Sequence, residues 1–424
     1  MIETKYPAQA ESVWTGTLPD GLRIQVVKKT GFRQCHAMFA ARYGGADRRF
    51  SLAGEWIDTP AGVAHFLEHK MFDMPDGRYV LAELSARGAN PNAFTGAGVT
   101  AYHFTCTEDF YTNLETLLTY VSTPWYTPES VAKEQGIIGQ EIRMYENSPG
   151  TEAYYELMKA LYARHPIRDT VAGTVESIAE ITPEILYHCH KVFYNPSNMA
   201  LVCVGDVDPE RVAATAERIL PKEPGEVPQR DYGPDEGLLP AEARREKAMT
   251  VAQPIFMIGG KLPAPERGRD RLRYRLLGEL ALECLIGDSS ELFNDLYARG
   301  LLSRNFDHEL DDAAGTMTAV LAGESRAPEQ VLEALYAGVN KVAGKGLSET
   351  GFERCRRSRY GAELSALDQF GGAAYQRVQG CFGGWDPMDV FPLLEELDRE
   401  EAAAFLCENF TPERLAMAAV RPAD

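Results

Sequence analysis

Apolar positions along the chain change their period several times, and each change marks an element. LRIQVVKK (22–29) and CHAMFAARYG (35–44) are short apolar runs that read as strands. PAGVAHFLEHKMF (60–72) and RYVLAELSARG (78–88) space their apolar residues three and four apart and read as helices, the second stopped at Gly88. VTAYHFTC (99–106) returns to a strand, with alternation weak enough for burial on both faces. Two further helices open at TPESVAKEQGIIGQEIRMY (127–145) and TPEILYHCHKVF (182–193), where Thr127-Pro128 and Thr182-Pro183 supply an N-cap followed by a first-turn proline. NMALVCVGD (198–206) is then a closing strand.

Much of this pattern recurs. ELSARGANPNAF (83–94) and DLYARGLLSRNF (295–306) share an acid, a leucine, Ala-Arg-Gly and a final phenylalanine at the same spacing, with an offset of 212 between Leu84 and Leu296. LETL at Leu114 returns as LEAL at Leu332, an offset of 218, and YNPSNMALVCVG (194–205) returns as FTPERLAMAAVR (410–421), with Pro196 and Pro412 216 apart. Three pairs in one order at nearly one offset indicate a duplication. Between the copies lies LPKEPGEVPQRDYGPDEGLLPAEARREK (220–247), rich in Pro, Gly and charge, which reads as an exposed linker. The expected division is therefore a first domain at 1–222, a linker at 223–245 and a homologous second domain at 246–424. Strands gathered early and late, with helices grouped between them, favour an α+β fold over strict βαβ alternation. Each domain is expected to be a mostly antiparallel sheet packed with helices.

Composition narrows the function classes. At 424 residues, 45% hydrophobic and 25% charged, the chain can bury substantial cores. Its eight cysteines are widely spaced and never form C-x-x-C, so free thiols in a reducing compartment are expected. MIETKYPAQAESVW (1–14) has neither a basic nor an apolar leader region, and no apolar run is long enough to span a bilayer. A cytoplasmic location follows as the expectation. The 43 basic and 62 acidic residues give a net charge of -19, which repels phosphate backbones and anionic lipid, so neither nucleic acid nor membrane is an expected partner. The basic run RCRRSR (354–359) reads as the solvated face of a helix.

AGVAHFLEHKMFD (61–73) carries the chemistry. On a helix His65 and His69 lie one turn apart on one face, and Glu68 lies beside them. Two neutral imidazoles suit Zn²⁺, and a neighbouring carboxylate can take a proton from a water that the metal has acidified. The order is H-x-x-E-H. A catalytic zinc needs a third protein ligand, and KEQGIIGQEIRMYEN (133–147) holds Glu134 and Glu141 two turns apart on one stripe. Either glutamate alone reads as an ordinary surface residue; beside the histidine pair, the two complete a site.

HFLEH, the GANPNAFTGAGVTAYHF segment (88–104) and an E-x6-E that ends at Glu141, 72 residues beyond His69, together resemble the pitrilysin/insulysin family of inverted-motif zinc peptidases. The resemblance is closest to the two-domain bacterial members, and is stronger in the first half than in the second. It implies that His65, His69 and Glu141 bind zinc, that Glu68 is the general base, and that Glu134 supports the site from behind the ligands. It further implies that NPNAF is an edge strand, with Asn92, Ala93 and Phe94 pairing with an extended peptide substrate. In the second half, active relatives carry an Arg-x6-Tyr pair that reaches the substrate. This chain has Tyr297 and Arg304 at that spacing with the residue types exchanged, so the resemblance points to a partner: a heterodimer in which this chain supplies the metal half, or a homodimer.

The second copy lacks the metal motif. The position matching His65 falls at Glu283 in LALECLIGDSS (280–290), and His308 is the sole histidine of that half. His188 and His190 lie two apart on a predicted helix, on nearly opposite sides, and GGAAYQRVQGCFGG (371–384) lacks the Gly-Lys-Ser/Thr of a phosphate loop. Both read as structural, as do His36 and His103 on predicted strands. The expected function is a zinc-dependent endopeptidase. A non-catalytic subunit of a peptidase-like pair and a metal-dependent hydrolase of small molecules are the competing readings.

Overall fold

The computed structural model describes residues 1–423, which fall into two compact units. Unit 1 comprises Met1–Ile142, Thr170–Tyr232 and Leu364–Met388; unit 2 comprises Arg143–Asp169, Gly233–Glu363 and the chain from Asp389 onward.

Unit 1 is built on strands β1 (Ile2–Tyr6), β2 (Glu11–Thr17), β3 (Arg23–Lys28), β4 (Cys35–Ala41), β7 (Asn90–Thr95), β8 (Thr100–Cys106) and β9 (Met199–Gly205), in the order β1-β2-β3-β9-β4-β8-β7. A small separate sheet joins β5 (Arg49–Leu52) to β6 (Glu55–Asp58) and β10 (Gln229–Arg230). Unit 2 carries β11 (Arg244–Met249), β12 (Ile255–Lys261), β13 (Asp307–Ala313), β14 (Thr316–Glu324) and β15 (Leu415–Pro422), in the order β11-β15-β12-β14-β13. The last five strands of the first sheet and the five of the second share one topology. A single parallel pairing, β3 with β9 or β11 with β15, is followed by antiparallel pairings out to β7 or β13.

The helices repeat in the same way. Counting the five shared strands of each sheet in chain order, between the second and third come α1 (Val63–Lys70) and α2 (Val80–Ala86), or α9 (Arg269–Ile286) and α10 (Glu291–Ala298). After the fourth strand come α3 (Phe110–Val121), α4 (Pro128–Glu146), α5 (Pro149–Leu161), α6 (Val175–Ala179) and α7 (Pro183–Phe193) in the first copy. The second copy has α11 (Pro328–Lys345), α12 (Glu349–Ala366), α13 (Phe370–Gly383), α14 (Val390–Glu396) and α15 (Arg399–Asn409); α8 (Pro209–Ile219) has no counterpart. The three sequence repeats fall on equivalent elements: the end of α2 or α10 leading to the edge strand, α3 or α11, and β9 or β15. The α+β fold with mostly antiparallel sheets is as the apolar pattern predicts.

One feature crosses the contiguous division at 1–222 and 246–424. Helix α5 lies in unit 2 and its counterpart α13 in unit 1, so each sheet is covered by a helix from the opposite half of the chain. Phe370, Ala374 and Val378 of α13 pack with Met38, Ala40, Val202 and Val204 of the first sheet. In unit 2, α5 lies against β12 and β15 so closely that a Cβ on Gly259 would sit 2.8 Å from Leu157. An apolar stripe on a helix requires burial, but does not say against which sheet.

Two interior strands of the first sheet are buried throughout. Every residue of β4 and β9 is buried, and five of the seven residues of β8 are buried, which accounts for the weak alternation of VTAYHFTC.

Candidate metal centre

Helix α1 is eight residues long and is anchored by Val63, Ala64, Phe66 and Leu67, all buried. Its start is fixed by Gly62, whose φ of +95° is left-handed, and whose missing Cβ would sit 2.5 Å from the Ala172 carbonyl oxygen. Glycine is required there on both counts. Ser177 Oγ donates to the Ala61 carbonyl at 2.9 Å and ties the same corner.

With that entry set, His65 and His69 project together, their ring centroids 4.7 Å apart. Helix α4 faces them. It opens at Thr127, whose hydroxyl accepts from the Ser130 N–H at 3.2 Å, and is held by buried Val131, Ile138 and Ile142. Gln135 Nε2 donates to the carbonyls of Ile178 and Ile181 at 3.1 Å each. Glu134 and Glu141 emerge on the stripe so positioned.

His65 Nε2 lies 3.6 Å from Glu141 Oε1, and His69 Nε2 lies 3.4 Å from Glu141 Oε2. Ligand bonds near 2.0–2.1 Å in a tetrahedral zinc site separate neighbouring donors by about 3.3 Å. Two imidazole nitrogens and a carboxylate at that spacing fit a zinc ion. Among the described residues, this is the one group of three or more histidine, cysteine or acidic side chains close enough to share a metal. Glu134 has a different relation to the pair: its Oε1 is 3.0 Å from His69 Nδ1, the nitrogen turned away from Glu141. Burial alone would depress the His69 pKa, but the hydrogen bond to Glu134 and the charges of Glu134, Glu141 and Glu68 outweigh it and raise the value. The other histidine is less supported, since His65 Nδ1 is buried without a hydrogen-bond partner.

Glu68 accepts a hydrogen bond from Thr95 Oγ1 at 2.5 Å. No spacing rule marks Thr95, which meets Glu68 only because the β7–β8 hairpin brings it back beside α1 after 27 residues.

Asn92, Ala93 and Phe94 lie on β7, which is an edge strand. The Ala93 N–H donates to Asn92 Oδ1 at 2.9 Å. The Phe94 ring is 5.3 Å from that of Tyr375 and is half-buried against the core beneath α13. Tyr297 and Arg304 belong to unit 2, where the guanidinium stands 6.0 Å from the tyrosine ring centroid and both side chains are exposed. The remaining histidines have structural surroundings. His190 Nε2 meets the Val121 carbonyl at 3.0 Å, and His188 stacks near Phe50. His308 Nε2 lies 3.3 Å from Glu283 Oε2, the position equivalent to His65. The run at 354–359 lies on α12, with Arg356 and Arg357 paired to Glu353, and Arg359 to Glu279 and Glu363.

Residues 53–175 match the profile of insulinase (peptidase family M16), and residues 180–359 that of the peptidase M16 inactive domain. The chain is 34% identical over 425 residues to the "uncharacterized zinc protease YmfH" of Bacillus subtilis, covering 99% of this chain and 98% of the relative. It belongs to the insulinase/pitrilysin family, M16. Another relative, the "uncharacterized zinc protease ML0855" of Mycobacterium leprae, is 25% identical over 86% of this chain and 81% of its own. The crystal structure of an M16-like protein from Alicyclobacillus acidocaldarius superposes with a TM-score of 0.93 at 33% identity, over the whole of both chains. A Helicobacter pylori protease shares the fold at a TM-score of 0.83 and 17% identity, covering 97% of this chain and 99% of that one.

Proposed function

We propose that this M16 chain is a zinc-dependent endopeptidase that cleaves peptides or unfolded segments. The observation that carries the reading is the donor set of His65, His69 and Glu141 at the spacing of a tetrahedral site, with Glu134 behind His69. When bound there, zinc would acidify a water and polarise the scissile carbonyl. His65 and His69 would hold the ion through Nε2 and Glu141 through its carboxylate, while Glu134 fixes the His69 ring and its tautomer. Glu68 takes the proton of the attacking water and returns it to the leaving amine. The open edge of β7 around Asn92, Ala93 and Phe94 holds the peptide through main-chain bonds, which demand little of its sequence. A net charge of -19 favours neutral or basic peptides. Eight free cysteines accord with a cytoplasmic location, and no described helix is long and apolar enough to cross a membrane.

The test is cleavage-site profiling on a mixed peptide library, with and without a chelator, alongside Glu68→Gln. Hydrolysis that the chelator abolishes and zinc restores, and that Glu68→Gln loses while keeping its metal, is the expected result. Chelator-insensitive cleavage, or parent activity in Glu68→Gln, would reject the reading.

A second reading is favoured by the exchanged pair. With Tyr297 and Arg304 in each other's places, the donors offered to a developing oxyanion differ from those of the family pattern. We infer from this that the chain acts with a homologous second subunit that supplies the missing pair.

A further inference from the structure

Glu68 is half-buried, and one of its oxygens, Oε2, accepts from a threonine hydroxyl. Thr95 Oγ1 lies 2.5 Å from Oε2, within the range of a charge-assisted O–H···O⁻ bond. The proton inventory of the neighbouring hydroxyls fixes the direction. Thr100, which faces Thr95 across the β7–β8 hairpin, donates to the Tyr43 carbonyl at 2.9 Å. Its oxygen stands 3.4 Å from that of Thr95, and Thr100 is fully buried. A threonine has one proton, and an ionised carboxylate can only accept, so the Thr95 proton goes to Glu68. Thr95 is also the last residue of β7, the edge strand on which an extended peptide would pair.

We propose that Thr95 is a positioning residue for Glu68: its hydroxyl fixes Oε2 and leaves Oε1 as the oxygen that takes the proton from water. This rests on the reading of Glu68 as general base. The anchor belongs to the substrate-binding strand, so a peptide that orders the end of β7 also orders the base. A carboxylate held by one oxygen keeps a single orientation; released, it swings among rotamers, of which a fraction is productive.

Thr95→Val keeps the shape and removes the proton, and Thr100 retains its bond to Tyr43. Thr95→Ser restores the donor. Valine is expected to lower kcat roughly tenfold to a hundredfold with KM and zinc content unchanged, and serine to recover most of the loss. Independently of turnover, a crystal structure of metal-free Thr95→Val should show the Glu68 carboxylate displaced, and one of Thr95→Ser should show it in place. Thr95→Ala serves the same measurements if valine does not fold. A parent that is inactive on every peptide, both alone and with a homologous second subunit, would remove the peptidase reading, and the carboxylate position would still decide the role of Thr95. An active parent with full kcat in Thr95→Val, or an unmoved Glu68 in that variant, would overturn the proposal.

Discussion

Glu134 Oε1 lies 3.0 Å from His69 Nδ1, on the side of the imidazole away from the nitrogen that faces Glu141. A carboxylate in that place orients a ligand and raises its basicity without touching the metal. Glu134→Gln should therefore weaken zinc binding by roughly ten to a hundredfold, whereas His65→Ala or Glu141→Ala, which delete donors, should lose more. Competition titration with a chromophoric chelator ranks the three. A Glu134 variant that loses as much metal as the Glu141 variant would make Glu134 a direct ligand.

Gly62 fixes the start of the metal helix through its left-handed φ of +95° and its closeness to Ala172. Gly77 offers a control, with φ of +74° and nothing within 4 Å of its absent Cβ. Gly77→Ala should cost the backbone term alone, about 1–2 kcal/mol. Gly62→Ala should cost more in denaturant unfolding and should also reduce zinc content, since the clash displaces α1. Equal stability of the two variants would show that the Ala172 contact is relieved without moving the helix.

Acid should destabilise the chain before its carboxylates titrate. Burial, with a contribution from His103, holds the His36 pKa down to about 3, and burial holds His190 down to about 4, with the Val121 carbonyl opposing. In the unfolded chain both titrate near 6.5. Above that pH they are neutral in both states and contribute nothing to its pH dependence. As pH falls from 6.5 toward 4, the unfolded chain binds protons that the folded chain refuses, and stability drops, by about 2 kcal/mol per histidine at pH 5. Urea unfolding of His36→Gln should show a shallower loss between pH 7 and 5 than the parent. Parallel losses would mean that His36 accepts its proton without unfolding.

The exchanged Tyr297 and Arg304 predict dependence on a partner. Purified alone, the chain should be zinc-loaded but nearly inactive, and a homologue lacking H-x-x-E-H should restore hydrolysis. Mass in solution, metal content and peptide turnover together decide it. Full activity as a homodimer that survives Tyr297→Phe and Arg304→Ala would exclude the need for a second gene product.

What could be read from the sequence was whatever lies within one helix or repeats at one offset. His65, Glu68 and His69 share α1, and Glu134 and Glu141 share α4, so periodicity alone places each set on a face. Periodicity cannot say which imidazole nitrogen each glutamate meets, because that depends on how α4 is set against α1. Thr95 was illegible for a similar reason: the hairpin that returns it to Glu68 is a tertiary fact. β1 was missed because Ile2 to Lys5 are all exposed and leave no apolar pattern. The exchange of α5 and α13 escaped because both stripes satisfy any sheet that will bury them.

That exchange also sets a schedule. A ribosome adds about 5–20 residues per second, and the helix that covers the first sheet ends at residue 383 of 424. His65, His69 and Glu141 therefore leave the exit tunnel long before the face carrying Met38 and Val202 can be closed. For an interval of roughly ten seconds or more at that rate, the nascent chain holds every metal donor on an unfinished scaffold. A gene cut at the linker would leave the front fragment without the helix that covers its sheet, so a repeat in sequence is not the same thing here as a packed unit.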